Sequence, residues 1–478
     1  MPLPSRDFSA YVSAGDLTDL HNRALQVLLS EELARIVDIV AWREGDDVHV
    51  ADSTGHSRLS RDGVTTVIDG VDPVADQDPL SDTSYPFAAV RLHSLFSDPR
   101  APDLAVVHTG AHHWPERGGH LGEHGSLNAI QSRAPLVLSG AGVCSRGLLD
   151  RAVRTVDVGA TLCCLAGGSY EDMDGAPIDL VTATGGPVVG LLWDGAQCAD
   201  LLRLAGTGAL PNVVRLLANG VALRGGAVAE FPSVTLVNHT CALTGVGPGR
   251  HGIVNNAFYD RGLGEQVVPN SNANWHRSMD YLREGVTTIF QRVPGRTACV
   301  NDPVDVGADY STFDLIRSGG GASAMLGSLP SPAVDPMCSK EFLANADYAW
   351  GSQVDGAGLV QVLDLWSAGE PPSLMWWNTT LTDSAHHAGG PCSDIARAGM
   401  LDADRRLGVW LDLLEQRGLL ETTTILLTAD HGMELADPEC TGDWDLALTA
   451  AGIPFRDEAY GFIYLGVSSA LGSSEKGL

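Results

Sequence analysis

The chain is 478 residues long, 44% of them hydrophobic, with a formal net charge of −29. That length suits one large catalytic domain or two to three smaller ones. A surface this acidic repels polyphosphate backbones, which argues against a nucleic-acid polymer or an anionic membrane as partner. A small anionic substrate stays compatible with it if a metal supplies local positive charge.

The opening residues, MPLPSRDFSAYVSAGDLTDL, show no basic stretch followed by an apolar run, and no segment is long and apolar enough to read as a membrane span. The nine cysteines are scattered, with one adjacent pair at Cys163 and Cys164 and no C-x-x-C spacing. Reduced thiols and a cytoplasmic location are therefore expected. Taken in chain order, the apolar runs at 33–42, 103–110 and 135–140 read as buried strands. Residues 166–186, rich in glycine and acidic side chains, read as a linker or surface loop. A further strand at 186–195 runs into Asp194-Gly195. Apolar positions at three- and four-residue spacing predict amphipathic helices over 211–220 and 396–418, with Gly220 and Gly418 as stop signals. Residues 300–350 carry many Gly, Pro, Ser and Asp with little periodicity and read as a cap or insertion. Strands at 373–381 and 424–432 complete the set. Strands alternating with helices predict an α/β fold whose mostly parallel central sheet has helices on both faces. Ligands in such sheets sit at the carboxyl ends of strands, and three of these strands end at aspartates: Asp194, Asp383 and Asp430. No internal repeat and no P-loop is present.

Four stretches carry candidate chemistry. In TLTDSAHHAGGP (380–391), Asp383 and His387 lie four apart in what reads as a loop, and suit either a divalent ion or plain solvation. ADHGME places Asp430 and His431 at a strand tip, a second half of such a site. Asp194-Gly195 is on its own a common strand-to-helix turn. The densest stretch is EFPSVTLVNHTCALTGVGPGRHGIVNNAFYDR (230–261). Thr235 stands where a helix starts, so its hydroxyl meets free N–H groups and the positive end of the helix dipole. That position favours a phosphate-binding nucleophile, or else a simple N-cap.

Together these motifs resemble the alkaline phosphatase superfamily, in particular its type I phosphodiesterase/nucleotide pyrophosphatase branch. Phe231-Pro232-Ser233-Val234-Thr235, Asn238-His239, Thr244-Gly245, Pro248, His251-Gly252-Ile253 and Asn256 follow one long family pattern. Asp383, His387, Gly390 and Pro391 follow a second, which selects His387 over His386. Ala429 to Met433 follow a third, and Asp194-Gly195 match an early strand end. The resemblance implies an alkaline phosphatase-like core with two divalent ions, Zn2+ with Mn2+ as the alternative. One would be held by Asp194, Asp430, His431 and Thr235, the other by Asp383, His387 and one more histidine.

Family members supply that histidine well after the D-H-G-M motif, yet no histidine follows His431 in this chain. The stretch 118–142, a His-Gly loop followed by a strand, resembles the family's late region, and 154–167 resembles its last helix. The chain therefore reads as circularly permuted: a late segment over 1–165, a linker over 166–186, then early and middle segments over 187–478. His124 becomes the missing ligand, with His120 in reserve. By the same resemblance, Thr235 is the nucleophile of a phospho-threonyl intermediate, and Asn256 and the N–H after Thr235 donate to phosphoryl oxygens. The position after the nucleophile, aromatic in many relatives, is Leu236 here and is taken as a substrate contact. Tyr259, Trp275, Phe258 and Trp377 are the other aromatic candidates. The expected substrate is a small phosphate diester, with a phosphomonoester or a phosphonate as the alternative and a catalytically inactive metal-binding protein as a third reading.

Overall fold

The computed structural model describes residues 14–109, 112–113, 119–144, 146–271, 274–318, 346–442 and 444–467. Two sheets organise them. The first has eight strands, in the order Tyr310–Ser311, Thr297–Val300, Leu374–Thr379, Val188–Trp193, Thr424–Thr428, Leu136–Gly140, Gly220–Leu223 and Gly147–Leu149. The middle of this sheet is parallel: Val188–Trp193 pairs in parallel with both Leu374–Thr379 and Thr424–Thr428. All three strands are buried along their length, so both faces are covered, which explains their near-continuous apolar sequence. The sheet as a whole is mixed, because Leu136–Gly140 runs antiparallel to both its neighbours.

Helix Thr155–Leu165 packs closely on helix Thr235–Thr244. Gly159 permits that approach, since a Cβ there would lie 2.6 Å from the Ala242 carbonyl oxygen. The helices expected at 211–220 and 396–418 span Pro211–Ala218 and Asp394–Gln416. Gly418 ends the second in a left-handed conformation (φ 67°). Gly220, expected as a stop, instead begins a strand, and Asn219 caps the helix before it.

The second sheet was not anticipated. It has seven strands, all antiparallel: Phe455–Glu458, Phe462–Leu465, Leu104–His108, Val37–Glu44, Asp47–Ala51, Gly55–Leu59 and Thr65–Gly70. The runs at 33–42 and 103–110 belong here and not to the parallel core. Gly45-Asp46 forms a two-residue hairpin loop, with Gly45 at φ 63° as such a turn requires. Period-two alternation divides the sheet's side chains between two clusters. Ile39, Ala41, Val48 and Val50 face helix Ala88–Phe96, while Val40, Trp42 and Ala51 join Leu20, Ala24 and Leu28 of helix Ala14–Leu28 and Trp444. Strand Leu104–His108 pairs directly with Phe462–Leu465, so early and late parts of the chain share one sheet.

Residues 166–186 are irregular and pinned to the core. The backbone N–H groups of Asp174 and Gly175 donate to the Gly245 carbonyl, and Asp174 Oδ2 accepts from the Gly247 N–H at 2.9 Å. The cap expected over 300–350 lies largely outside the described residues. Its first part, through Ser318, adds strand Tyr310–Ser311 to the eight-stranded sheet, followed by helix Thr312–Ser318.

His251, in the His251-Gly252-Ile253 stretch, is wholly buried: its Nδ1 accepts from the Ile253 N–H at 3.1 Å and its Nε2 lies 3.3 Å from Cys241 Sγ. Burial pushes this imidazole down to about 3. Its unfolded counterpart titrates near 6.5, so the stability it confers is present above that value and lost as the pH falls toward 3. Urea unfolding of His251→Gln should accordingly show a shallower acid limb, the wild type losing about 1.4 kcal/mol more per pH unit below about 6. Parallel acid limbs in the two proteins would contradict the assignment.

Candidate active site

The site lies at the carboxyl ends of the three central parallel strands. Asp194 follows Trp193, and Asp430 follows the strand Thr424–Thr428 after one alanine. The Gly195 N–H donates to Asp430 Oδ1 at 3.0 Å, tying the two strand tips together. Gly195 sits at φ 61°, and a Cβ there would lie 2.4 Å from Asp383 Oδ1, so the position has no room for another residue.

Residues 381–389, expected as a loop, form a helix, Leu381–Gly389. Asp383 and His387 thereby share one helical face, with His387 Nε2 at 3.4 Å from Asp383 Oδ1. The helix start is held by buried Asp355 on the 346–367 helix. Its Oδ1 accepts from the Thr380 N–H (2.8 Å) and hydroxyl (3.2 Å), and its Oδ2 accepts from the Leu381 N–H (3.1 Å). His386 points the other way, buried, with its Nε2 3.9 Å from Asp200.

Thr235 is the first residue of helix Thr235–Thr244, and Val234 holds the N-cap position. Its Oγ1 is half-buried and 3.5 Å from His431 Nε2. The Leu236 N–H, expected to stand open for a phosphoryl oxygen, donates to Asn256 Oδ1 at 3.1 Å. The Leu236 side chain is fully buried in the main core, because the second position of this helix faces inward, so it is no substrate contact.

The early chain contributes directly. The Gly122–Glu123 strand pairs with Glu434–Leu435, and His124 follows it. The His124 ring stacks on His431, centroids 3.7 Å apart, and lies 5.0 Å from the ring of His387. His120 also stands beside His387, at 4.4 Å. Ligating atoms gather within 4.8 Å of one another in three groups: Asp194, Asp430 and His431; His124, Asp383 and His431; His120, Glu123 and His387.

Two features of this gathering suit divalent cations. Asp194 Oδ1, Asp383 Oδ1 and Asp430 Oδ2 are buried without a backbone or hydroxyl donor and face imidazole nitrogens, at 3.9 Å (His431), 3.4 Å (His387) and 3.1 Å (His431), a costly state for three carboxylates unless cations face them. The Nδ1 atoms of His124, His387 and His431 lie 3.0, 2.7 and 2.9 Å from the carbonyls of Ser233, Gly122 and Gly432. A carbonyl accepts only from an N–H, so these contacts put a proton on each Nδ1 and make Nε2 the nitrogen that can ligate once it is deprotonated. Electrostatics within the bare cluster are strong. Burial and the neighbouring Asp430 carboxylate push Asp194 well above the usual carboxylate range. Burial opposes ionisation of Asp430 too, but the imidazoles of His431 and His239 hold it at about 2. His431 is lowered by burial and raised more by Asp430, to about 9. Burial, with His431 and His387 adding to it, takes His124 well below the ordinary histidine value.

Of the aromatic candidates, Phe258, Tyr259 and Trp377 are buried, and Trp275 packs edge-on against Phe313. The aromatic ring at the site is Tyr460, 5.4 Å from His124 and in a left-handed conformation (φ 57°). Its sequence, AYGFIYL, carries no cue beyond a strand. Asp355 and Asp302 were likewise silent, since their partners are remote in sequence, and His239 was visible only as a motif match.

Strand-tip aspartates, convergent imidazoles and a helix-initial threonine thus meet at one end of the sheet, in groups that could hold a metal ion. The family model for type I phosphodiesterase / nucleotide pyrophosphatase matches residues 188–467, more than half of the chain, and the protein belongs to that family. It is 28% identical over 252 residues to ectonucleotide pyrophosphatase/phosphodiesterase family member 3 of Mus musculus, covering 52% of this chain and 25% of that protein. An uncharacterized pyrophosphatase/phosphodiesterase of Schizosaccharomyces pombe is 26% identical over 313 residues, 64% of this chain and 55% of the relative. The chain thus spans from a quarter to just over half the length of these relatives. Among solved structures, murine ectonucleotide pyrophosphatase / phosphodiesterase 5 aligns at 19% identity and a TM-score of 0.41, over 57% of this chain and 64% of its own. Phosphonoacetate hydrolase from Sinorhizobium meliloti, in complex with phosphonoformate, aligns at 25% identity and a TM-score of 0.35, over 52% and 56%.

Asp355→Ala strands two buried N–H groups at the start of the helix that carries Asp383 and His387. A loss of about 1–3 kcal/mol is expected, read as a lower melting temperature and, where divalent ions bind, as weaker retention of them. Unchanged melting and metal content would show that the helix start does not depend on Asp355.

Proposed function

We propose that the protein is a metal-dependent phosphodiesterase of the nucleotide pyrophosphatase type, acting on a small phosphate ester through Thr235. The observation that carries this reading is the Thr235 hydroxyl at the head of a helix, beside the cluster of Asp194, Asp430 and His431. Asp194, Asp430, His431 and Thr235 would hold one divalent ion, and Asp383, His387 and His124 a second, Zn2+ or Mn2+. Bound there, such ions would acidify the threonine hydroxyl and offset the charge of the phosphoryl oxygens.

The chain's own groups do the rest. The helix start directs its dipole at the phosphoryl group. Asn256, oriented by its Oδ1 contact with the Leu236 N–H, offers Nδ2 to a non-bridging oxygen. Thr235 Oγ1 gives its proton to solvent and bonds to phosphorus as the bond to the leaving oxygen breaks, and the leaving alkoxide takes a proton from solvent. Water then attacks phosphorus, the bond to Thr235 Oγ1 breaks, one proton of the water goes to that oxygen and the other to solvent, and a phosphate monoester is released. A phosphomonoesterase or phosphonate hydrolase would use the same groups. The position after the nucleophile is a buried leucine with no aromatic face, and this supports that second reading.

We also read the chain as circularly permuted. Support comes from the family match beginning at residue 188 while His124, from the unmatched early part, stands among the proposed ligands. A reordered chain, with 187–467 placed before 14–165 through a flexible linker, should fold and bind the same number of ions. A reordered chain that folds but binds fewer would count against this reading.

Thr235→Ala should retain the bound ions while its turnover falls by about 10^3-fold or more. Wild-type turnover in that variant would remove Thr235 from the mechanism. With the wild type, faster hydrolysis of bis(p-nitrophenyl) phosphate than of p-nitrophenyl phosphate is expected, and the reverse order would favour the monoesterase reading.

A further inference from the structure

Beneath the proposed first ion lies a buried array that the mechanism above does not use. His239 sits one turn along the helix from Thr235 and is fully buried. Its Nδ1 is 2.8 Å from Asp302 Oδ2. Its Nε2 is 3.6 Å from Asp194 Oδ2 and 3.6 Å from Asp430 Oδ2, facing both strand-tip carboxylates at once. The same Asp302 oxygen accepts from the Trp376 indole N–H at 2.8 Å, and Asp302 Oδ1 accepts from the Val304 N–H at 2.9 Å.

The position of Asp302 is itself built. Asn301, the residue after strand Thr297–Val300, adopts a left-handed conformation (φ 58°), which asparagine tolerates better than most side chains and which its surroundings hold here. Those surroundings are present: the Asn301 N–H donates to the Thr312 hydroxyl, its Nδ2 to the Val354 carbonyl, and its carbonyl accepts from Asn378 Nδ2. The turn carries the Asp302 carboxylate under the helix that bears Thr235. Three segments, the 235–244 helix, the turn at 301–302 and the central strand with Trp376, thus meet at the Asp302 carboxylate, whose His239 partner in turn faces two carboxylates.

A carboxylate behind an imidazole fixes the ring's orientation and the position of its second nitrogen, and such outer partners govern how well metal ligands are placed. We infer that Asp302, His239 and Trp376 form a buried brace that holds the Asp194 and Asp430 carboxylates in the arrangement the first ion requires. They are positioning residues, not catalytic ones. The inference rests on the two-ion reading of the site and adds a set of residues to it.

The test is calorimetric titration of the metal-stripped protein with Zn2+, alongside thermal unfolding of the stripped forms. Asp383→Ala assigns the isotherm of the second ion. His239→Asn and Asp302→Asn are expected to weaken the first ion by about 10–100-fold while leaving the second isotherm in place. Trp376→Phe, which removes a single donor to Asp302, is expected to shift it the same way by less. An unchanged dissociation constant for the first ion in any of these variants that folds overturns the brace. Failure of all three to fold would overturn it too, by assigning the array to fold stability alone. A wild type that binds no Zn2+ would instead refute the two-ion reading on which the brace depends.

Discussion

Three carboxylates, two at strand tips and one on the helix that follows the neighbouring strand, set the terms for the rest of the molecule. Asp194, Asp383 and Asp430 each carry an oxygen that is buried without a backbone or hydroxyl donor. Removing a carboxylate from water costs several kcal/mol unless charge or hydrogen bonds compensate it. The fold nevertheless brings these groups together and surrounds them with imidazoles whose Nδ1 atoms face backbone carbonyls. Such an arrangement is unstable as a plain core and reasonable as a cation site. The parallel strands, the left-handed Gly195, the Asp355 cap and the strand carrying His124 all serve to keep those oxygens and nitrogens converging.

Much of the site was legible because its residues are local in sequence. Asp383 and His387 share a motif, as do Asp430 and His431, and the 230–261 stretch carries Thr235 and Asn256 within one run. The structure brings all of them to one end of the sheet. What sequence could not supply was the set of remote contacts. Asp355 and Asp302 act through partners 25 or more residues away, and Tyr460 reaches the site from a turn beside an edge strand. Leu236 was misread for a related reason: a residue's number in a motif does not state which side of a helix it faces.

The fold shows the same division. Long apolar runs marked the three central strands and the two amphipathic helices within a few residues. The antiparallel strand Leu136–Gly140 was equally visible as a strand, but an apolar run does not encode direction, so the mixed character of the sheet was not. The seven-stranded sheet escaped notice because its strands alternate between two modest cores and its late members lie some 350 residues from its early ones. A separate pairing, of Gly122–Glu123 with Glu434–Leu435, brings the early His124 beside His387 and His431.

The central claim is that His124 completes a two-ion site whose other ligands come from the later part of the chain. Crystals of the zinc-loaded protein, with anomalous scattering recorded at the zinc edge, test it most directly. The account predicts two anomalous peaks, one bounded by Asp194, Asp430, His431 and Thr235 and the other by Asp383, His387 and His124, with each Zn–N distance near 2.1 Å. A second peak ligated by neither His124 nor His120, or no second peak at all, would contradict it.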